Sequence, residues 1–265
     1  MPDSDPAQLR APLEAIMRDA GELARETSRG PFKRWTKGHD KSPVSEGDIA
    51  VNDFLFAQLK PLAPGAAWIS EETEEEVGEH TLAWVVDPID GTRAYISGRD
   101  DWTVSVALVE HGRPVLAALY APVLEEMFLA VQGAGATLNG KPIAVSGGAE
   151  LAGARFSGPK PYLERLAALS PQILPQPRIY SLALRLTRVA QGTLEGAFAS
   201  HGSHSWDLAA ADLLVHEAGG ALTDFAGRSL SHNQPEAAHG ALLAAGAARH
   251  RTLIDLVSDH LAEFA

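Results

Sequence analysis

The chain has 265 residues, 45% of them hydrophobic and 21% charged, enough to bury a sizeable core without covalent staples. It contains no cysteine, which excludes a disulfide framework, a thiolate metal site and a cysteine nucleophile. Its net charge of −12 argues against DNA or RNA as a partner but not against a small phosphorylated substrate, because acidic residues hold divalent cations that bind phosphate on their behalf.

The first segment reads as a helix from about Pro6 to Ser28, with Leu9, Leu13, Ile16, Met17, Ala20, Leu23 and Ala24 at helical spacing. Asp5 before Pro6 supplies a start, and Gly30 with Pro31 a stop. The polar, basic residues 33–41 read as a loop, and a second helix begins after Ser45 with Phe54, Leu55 and Leu59 inward. The apolar run of residues 82–86, closed by Asp87 and Pro88, has the signature of a buried strand that ends in a turn. Runs at 103–109, 114–121 and 127–131 follow as strands, and Asn139 with Gly140 marks a hairpin. The first half is therefore expected to be a mostly antiparallel meander.

From about residue 145 short strands alternate with helices: strands at 178–181, 194–199, 221–224 and 241–245, and helices over 182–190, 207–218 and 251–264. The layout is α+β moving into α/β, in stacked layers of helix and sheet. It divides into an N-terminal α+β half over residues 1–144 and a C-terminal α/β half over 145–265. No stretch approaches the roughly 18–20 apolar residues of a membrane span. Residues 1–10 have neither a basic nor an apolar leader segment. A soluble, cytoplasmic protein with no membrane partner is expected.

The window Asp87, Pro88, Ile89, Asp90, Gly91, Thr92 is the most informative. Taken alone, Asp87 and Pro88 make a turn and Asp90 a helix N-cap. Together, after a buried strand and before Gly91 and Thr92, two carboxylates that repel each other suit a hard divalent cation, Mg²⁺ or Mn²⁺. The N–H groups at the following helix start suit a phosphate. Glu71 follows the short apolar run ending at Ser70, where its side chain can enter a cleft; Glu74, Glu75 and Glu76 read as solvated loop. Asp207 opens a helix rich in small residues, and Asp48 fits a capping box with Ser45. Each of those two also has a purely structural reading.

In these segments the chain resembles the inositol monophosphatase superfamily of Mg²⁺-dependent, lithium-sensitive phosphatases. The matching pieces are Ser42, Pro43, Val44, Ser45 and Asp48; Ser70, Glu71 and Glu72; residues 87–92; and Trp206, Asp207, Ala209 and Ala210 with residues 217–220. They stand in family order. The resemblance implies an αβαβα layered sandwich with the site between the halves, and a homodimer. By carry-over, Glu71, Asp87 and the Ile89 carbonyl would hold a first metal and Asp87, Asp90 and Asp207 a second, with Glu71 at a weaker third. Gly91 and Thr92 would bind phosphate, and Thr92 with Asp48 would orient and help deprotonate the attacking water; Glu71 and Asp90 are counted with them as catalytic.

The implied activity is phosphomonoester hydrolysis of a small phosphorylated metabolite with two or three Mg²⁺ per site. Inositol-specific members carry a glutamate seven residues before the helix aspartate, where this chain has Ser200. They also follow Asp-Gly-Thr with threonine and asparagine, where Arg93 and Ala94 stand, closer to histidinol-phosphatases. Residues 102–122 look more like bacterial bisphosphate nucleotidases. The favoured substrates are a 3′(2′),5′-bisphosphate nucleotide or an inositol monophosphate, with histidinol phosphate as the alternative; Arg93 and the basic residues 33–41 read either as contacts for a second phosphate or as solvated surface charge. The rival of another class is a non-enzymatic regulatory binding protein on the same fold.

Overall fold

Asp5 starts the first helix: its Oδ1 accepts the Ala7 N–H at 3.0 Å, and Pro6 fills the first turn of α1 (Pro6–Ser28). The computed structural model describes residues 5–29, 33–37, 42–73, 80–232 and 238–264. The expected stop at Gly30 and Pro31 and the acidic residues 74–76 lie outside these. Residues 34–37 are not loop: β1 (Arg34–Lys37) pairs antiparallel with β2 (Ser42–Ser45) in a ribbon separate from both main sheets. Residues 38–41 of the expected loop lie outside the described residues. Ser45 then caps α2 (Glu46–Leu59).

Next come β3 (Ala67–Ser70), β4 (Leu82–Asp90), the short α3 (Thr92–Ile96), β5 (Thr103–Glu110), β6 (Arg113–Ala121), β7 (Glu126–Val131), β8 (Gly135–Leu138) and β9 (Lys141–Ile143). They build a seven-stranded sheet in sequence order, antiparallel throughout except for the parallel pair β3 and β4. The second half supplies β10 (Arg155–Ser157), α4 (Lys160–Leu169), β11 (Leu174–Pro175), α5 (Leu182–Ala190), β12 (Gly196–Ala199), α6 (Ser205–Glu217), β13 (Gly220–Asp224), β14 (Leu242–Gly246), α7 (Ala247–Asp259) and α8 (Leu261–Phe264). Its five-stranded sheet has the order β11-β10-β12-β14-β13.

Residues 178–181 are not a strand. The Tyr180 and Ser181 N–H groups there are held by the carboxylate and carbonyl of Asp101, in the first half. The last helix starts at Ala247, earlier than residue 251, and β10 with α4 had no clear signal in a stretch of mixed small and polar residues.

Strand alternation sorts the side chains into three cores. Trp84 and Val86 of β4, Val104 and Val106 of β5, and Leu116 and Ala118 of β6 face α1 and α2. Ala83, Val85, Ala107, Ala117 and Leu119 face the other way, against α5 and α6. That middle layer also covers Ala197 and Ala199 of β12 and Leu242 and Ala244 of β14, while Phe198 and Leu243 face the outer helices with Leu253, Val257 and Phe264. The result is five layers, αβαβα. Both faces of β4 are covered, which is why it reads as a continuous apolar run and not as an alternating one. The small side chains Ala209, Ala210 and Ala211 let α6 lie buried between two sheets. No helix of the described residues is long and apolar enough to cross a membrane.

Candidate metal centre and active-site cleft

The geometry of the site starts with an irregularity in β4. The strand does not stop at Asp87 and Pro88 but continues to Asp90, and its register against β5 shifts on the way: Asp87 faces Ser105, and Asp90 faces Thr103. Three steps along β4 match two along β5, the mark of a β-bulge. In a regular strand, residues three apart point to opposite faces. The extra residue restores parity, so Asp87 and Asp90 both face the α5–α6 layer while Ile89 joins the core under α1 and α2. Pro88, which has no N–H to give, sits where the ladder is already broken.

The parallel partner adds the next carboxylate. Ser70 pairs with Val86, and the Glu71 N–H donates to the Val86 carbonyl at 3.3 Å, so Glu71 emerges beside Asp87 at the shared C-terminal ends of β3 and β4. Asp207 arrives from the third turn position of α6, where its Oδ2 accepts the His204 N–H at 2.6 Å. One carboxylate oxygen from each of Asp87, Asp90 and Asp207 lies within 4.8 Å of the others. Asp207 therefore is both a helix-start acid and a member of the carboxylate cluster.

Asp90 is not the N-cap of the short helix after it. That place belongs to Gly91, in the left-handed region at φ 91°, where a Cβ would come within 3.1 Å of the Ser181 nitrogen. The Asp90 carboxylate instead receives Ser181 Oγ at 2.5 Å, the Ala183 N–H at 2.7 Å and the Leu182 N–H at 3.2 Å, all from the start of α5. Ser181 was not among the residues singled out from the sequence; its place before an apolar helix is an N-cap signal, and its Oγ does accept the Leu184 N–H at 2.9 Å.

Asp48 also has two roles. Its Oδ2 accepts the Ser45 N–H at 2.8 Å, closing the capping box of α2, while its Oδ1 accepts the Thr92 hydroxyl at 3.2 Å. The same hydroxyl lies 3.1 Å from the Ile89 carbonyl. Asp48, Asp87, Asp90 and Thr92 are all buried. Burial, then repulsion from Glu71, Asp90, Asp207 and Asp48, pushes the Asp87 carboxyl well above the usual range. Burial also raises Asp90, against the opposing bonds from Ser181, Ala183 and Leu182. Asp48 is pushed up to about 6 by burial, with its bonds from Ser45 holding it lower than burial alone would.

These all-oxygen groups, crowded and short of countercharge, fit a hard divalent cation, which relieves both the desolvation and the repulsion. Thr92, Glu71, Gly91 and Arg93 line a cleft of about 160 Å³ together with Pro43, Arg178 and Tyr180. Ser200, exposed just past β12, is not among the lining residues. His204 stacks flat on Trp206 with ring centroids 4.4 Å apart, and His201 Nδ1 lies 3.3 Å from the Tyr162 hydroxyl, so neither joins the carboxylate cluster. Glu217 of the fourth matching segment is structural: its two oxygens accept the Gly133 and Gly135 N–H groups, each at 2.8 Å, clasping the β7–β8 turn to the end of α6.

Comparison with known proteins agrees with this arrangement. The model of the Inositol monophosphatase family matches residues 5–261. A Mesorhizobium japonicum protein named inositol-1-monophosphatase is 30% identical over 231 residues, 83% of this chain and 86% of its own. A Pseudomonas aeruginosa protein named Nus factor SuhB is 34% identical over 259 residues, 92% of this chain and 93% of its own. The solved structure of an IMPase from Thermotoga maritima superposes with a TM-score of 0.82 at 25% identity, covering 95% of this chain and 97% of that one.

Proposed function

Because the chain belongs to the inositol monophosphatase family, a family of metal-dependent phosphatases, we propose that it is a Mg²⁺-dependent phosphomonoesterase that frees inorganic phosphate from a small phosphorylated metabolite. The observation that carries this reading is the convergence of Asp87, Asp90 and Asp207 within 4.8 Å, from a bulged strand and a helix over a hundred residues away. By the family pattern Glu71, Asp87 and the Ile89 carbonyl would hold one Mg²⁺, and Asp87, Asp90 and Asp207 a second. Bound there, the cations supply positive charge to the phosphoryl oxygens and the leaving oxygen, and acidify water.

The chain's own residues do the rest. Gly91 and Thr92 offer main-chain N–H groups to the phosphate. Thr92 has one hydroxyl proton and two acceptors, Asp48 and the Ile89 carbonyl. When Asp48 is ionised it takes that hydrogen bond and leaves the Ile89 carbonyl free for a ligand role. A carboxyl raised to about 6 suits a proton acceptor working near neutral pH. The preferred substrate is a 3′(2′),5′-bisphosphate nucleotide, ahead of inositol monophosphate and histidinol phosphate.

The test is phosphate release from those three esters with and without Mg²⁺ and with added lithium. Release that needs Mg²⁺, falls with lithium and drops by about 10²-fold or more in Asp90→Asn supports the reading; equal rates without metal or in the variant would falsify it. The name Nus factor SuhB carried by the Pseudomonas relative favours a second reading, in which this chain binds a macromolecular partner without turnover. Stoichiometric capture of such a partner by a protein inactive on every ester would support it. The homodimer expected from the family is checked by light scattering.

A further inference from the structure

The mouth of the cleft carries guanidinium groups that the reaction as proposed does not use. Arg93 and Arg178 both line it, next to Glu71 and Thr92. Among the described residues neither guanidinium has an ion pair or a hydrogen bond, although the chain has 34 acidic residues against 22 basic ones. Arg178 is nevertheless held in place: its guanidinium lies 5.0 Å from the centroid of the Tyr180 ring, and Arg99 lies 4.8 Å from the same ring.

Asp101 anchors this stack. Its carboxylate accepts the Tyr180 N–H at 2.9 Å and Arg99 Nε at 2.7 Å, and its carbonyl accepts the Ser181 N–H at 3.1 Å. One residue further on, Asp90 grips Ser181, Leu182 and Ala183. The segment carrying Arg178 and Tyr180 is thus pinned on one side to the carboxylate cluster and on the other to Asp101. Free N–H donors on a fixed frame, lining the same cleft as Thr92, are a recognition device for a second anion.

We propose that Arg178, held by Tyr180, forms with Arg93 a subsite for a second phosphate group on the substrate, so that the enzyme selects phosphomonoesters bearing another phosphate over those with a neutral remainder. This rests on the phosphatase reading above. Rates are compared with Mg²⁺ on adenosine 3′,5′-bisphosphate and on inositol 1-phosphate for wild type, Arg178→Ala, Arg178→Lys, Tyr180→Ala and Tyr180→Phe. The ratio of kcat/KM for the bisphosphate over the monophosphate is expected to fall by about tenfold or more in Arg178→Ala, mainly through KM. It falls also in Tyr180→Ala, recovers in part in Arg178→Lys and is largely kept in Tyr180→Phe.

A ratio within about twofold of wild type in Arg178→Ala, or one that Arg178→Lys does not raise above it, overturns the subsite. If wild type frees phosphate from neither ester, the phosphatase reading fails on its own. Calorimetric titration with adenosine 3′,5′-bisphosphate then decides the subsite. A Kd weakened about tenfold by Arg178→Ala supports it, and an equal Kd, or no binding to wild type, overturns it.

Discussion

Ser181 and Asp90, 91 positions apart in the chain, are joined by a 2.5 Å hydrogen bond in which the hydroxyl donates to the carboxylate. The serine oxygen simultaneously accepts the Leu184 N–H, so one side chain caps α5 and aims a proposed metal ligand. Ser181→Ala removes both bonds and a third, with the Thr103 hydroxyl at 3.0 Å. The expected cost is about 1–2 kcal/mol of stability, read as a lower Tm, together with several-fold weaker Mn²⁺ binding by calorimetry. A variant that loses stability but binds Mn²⁺ as tightly as wild type would show that Asp90 is aimed by the main-chain donors alone.

The carboxylate cluster makes the metal-free protein sensitive to pH in a defined direction. Asp48, Asp87 and Asp90 all have carboxyls raised by folding. Such groups bind protons more tightly folded than unfolded, so their stabilising contribution is complete below the ordinary value of 3.8 and disappears as pH climbs through the folded value, about 6 for Asp48. For Asp48 alone that shift corresponds to about 3 kcal/mol. Metal-free protein is expected to lose Tm over this window, and Mg²⁺ to restore more at about pH 8 than at about pH 5. Asp87→Asn should raise the metal-free Tm at about pH 8 and abolish the response to Mg²⁺. Thermal melts across pH with and without the cation check both.

Thr92 is the one hydroxyl between Asp48 and the Ile89 carbonyl. Thr92→Val keeps the shape and removes the proton, and is expected to lower kcat by about 10²-fold or more with a smaller change in KM. Thr92→Ser should retain most of the rate. Steady-state kinetics in which the valine variant keeps its kcat would remove Thr92 from the reaction.

Gly47 lies between Glu46 and Asp48 in the first turn of α2, against Tyr95. A Cβ there would sit 2.4 Å from the Tyr95 hydroxyl oxygen, which itself donates to the Ala24 carbonyl at 2.8 Å. Gly47→Ala must therefore displace the tyrosine of the short helix that carries Thr92. A loss of about 1–3 kcal/mol is expected, with a fall in kcat, measured by urea unfolding and initial rates.

Much of this was legible from residue order, because the strongest local signals agree with the packing. Asp5 with Pro6 and the stripe from Leu9 to Ala24 mark α1 to its observed ends, and Leu182–Ala190 is read correctly as α5. The carboxylates Asp87, Asp90 and Asp207 do come together, and Glu71 comes with Asp87. What was not legible depends on partners far along the chain. Residues 178–181, with Ile179 and Tyr180, have strand-like propensity, but Asp101 holds the main-chain N–H groups of Tyr180 and Ser181, and Asp90 the Ser181 hydroxyl, outside either main sheet. The ribbon strand β1 has exposed side chains over 34–36 and no inward alternation to detect. The bulge at Pro88 is a matter of register, which a single strand does not encode.

The position of α6 between the two sheets has a consequence for how the protein matures. A fragment ending before Ser205 contains Glu71, Asp87 and Asp90 but not the third converging aspartate, which comes with the alanine-faced helix that packs between the two sheets. Of the two proposed cation positions, the one shared by Asp87, Asp90 and Asp207 thus gains its full set of carboxylates only once the chain has passed α6, whereas those of the other, Glu71 and Asp87, both lie in the first half.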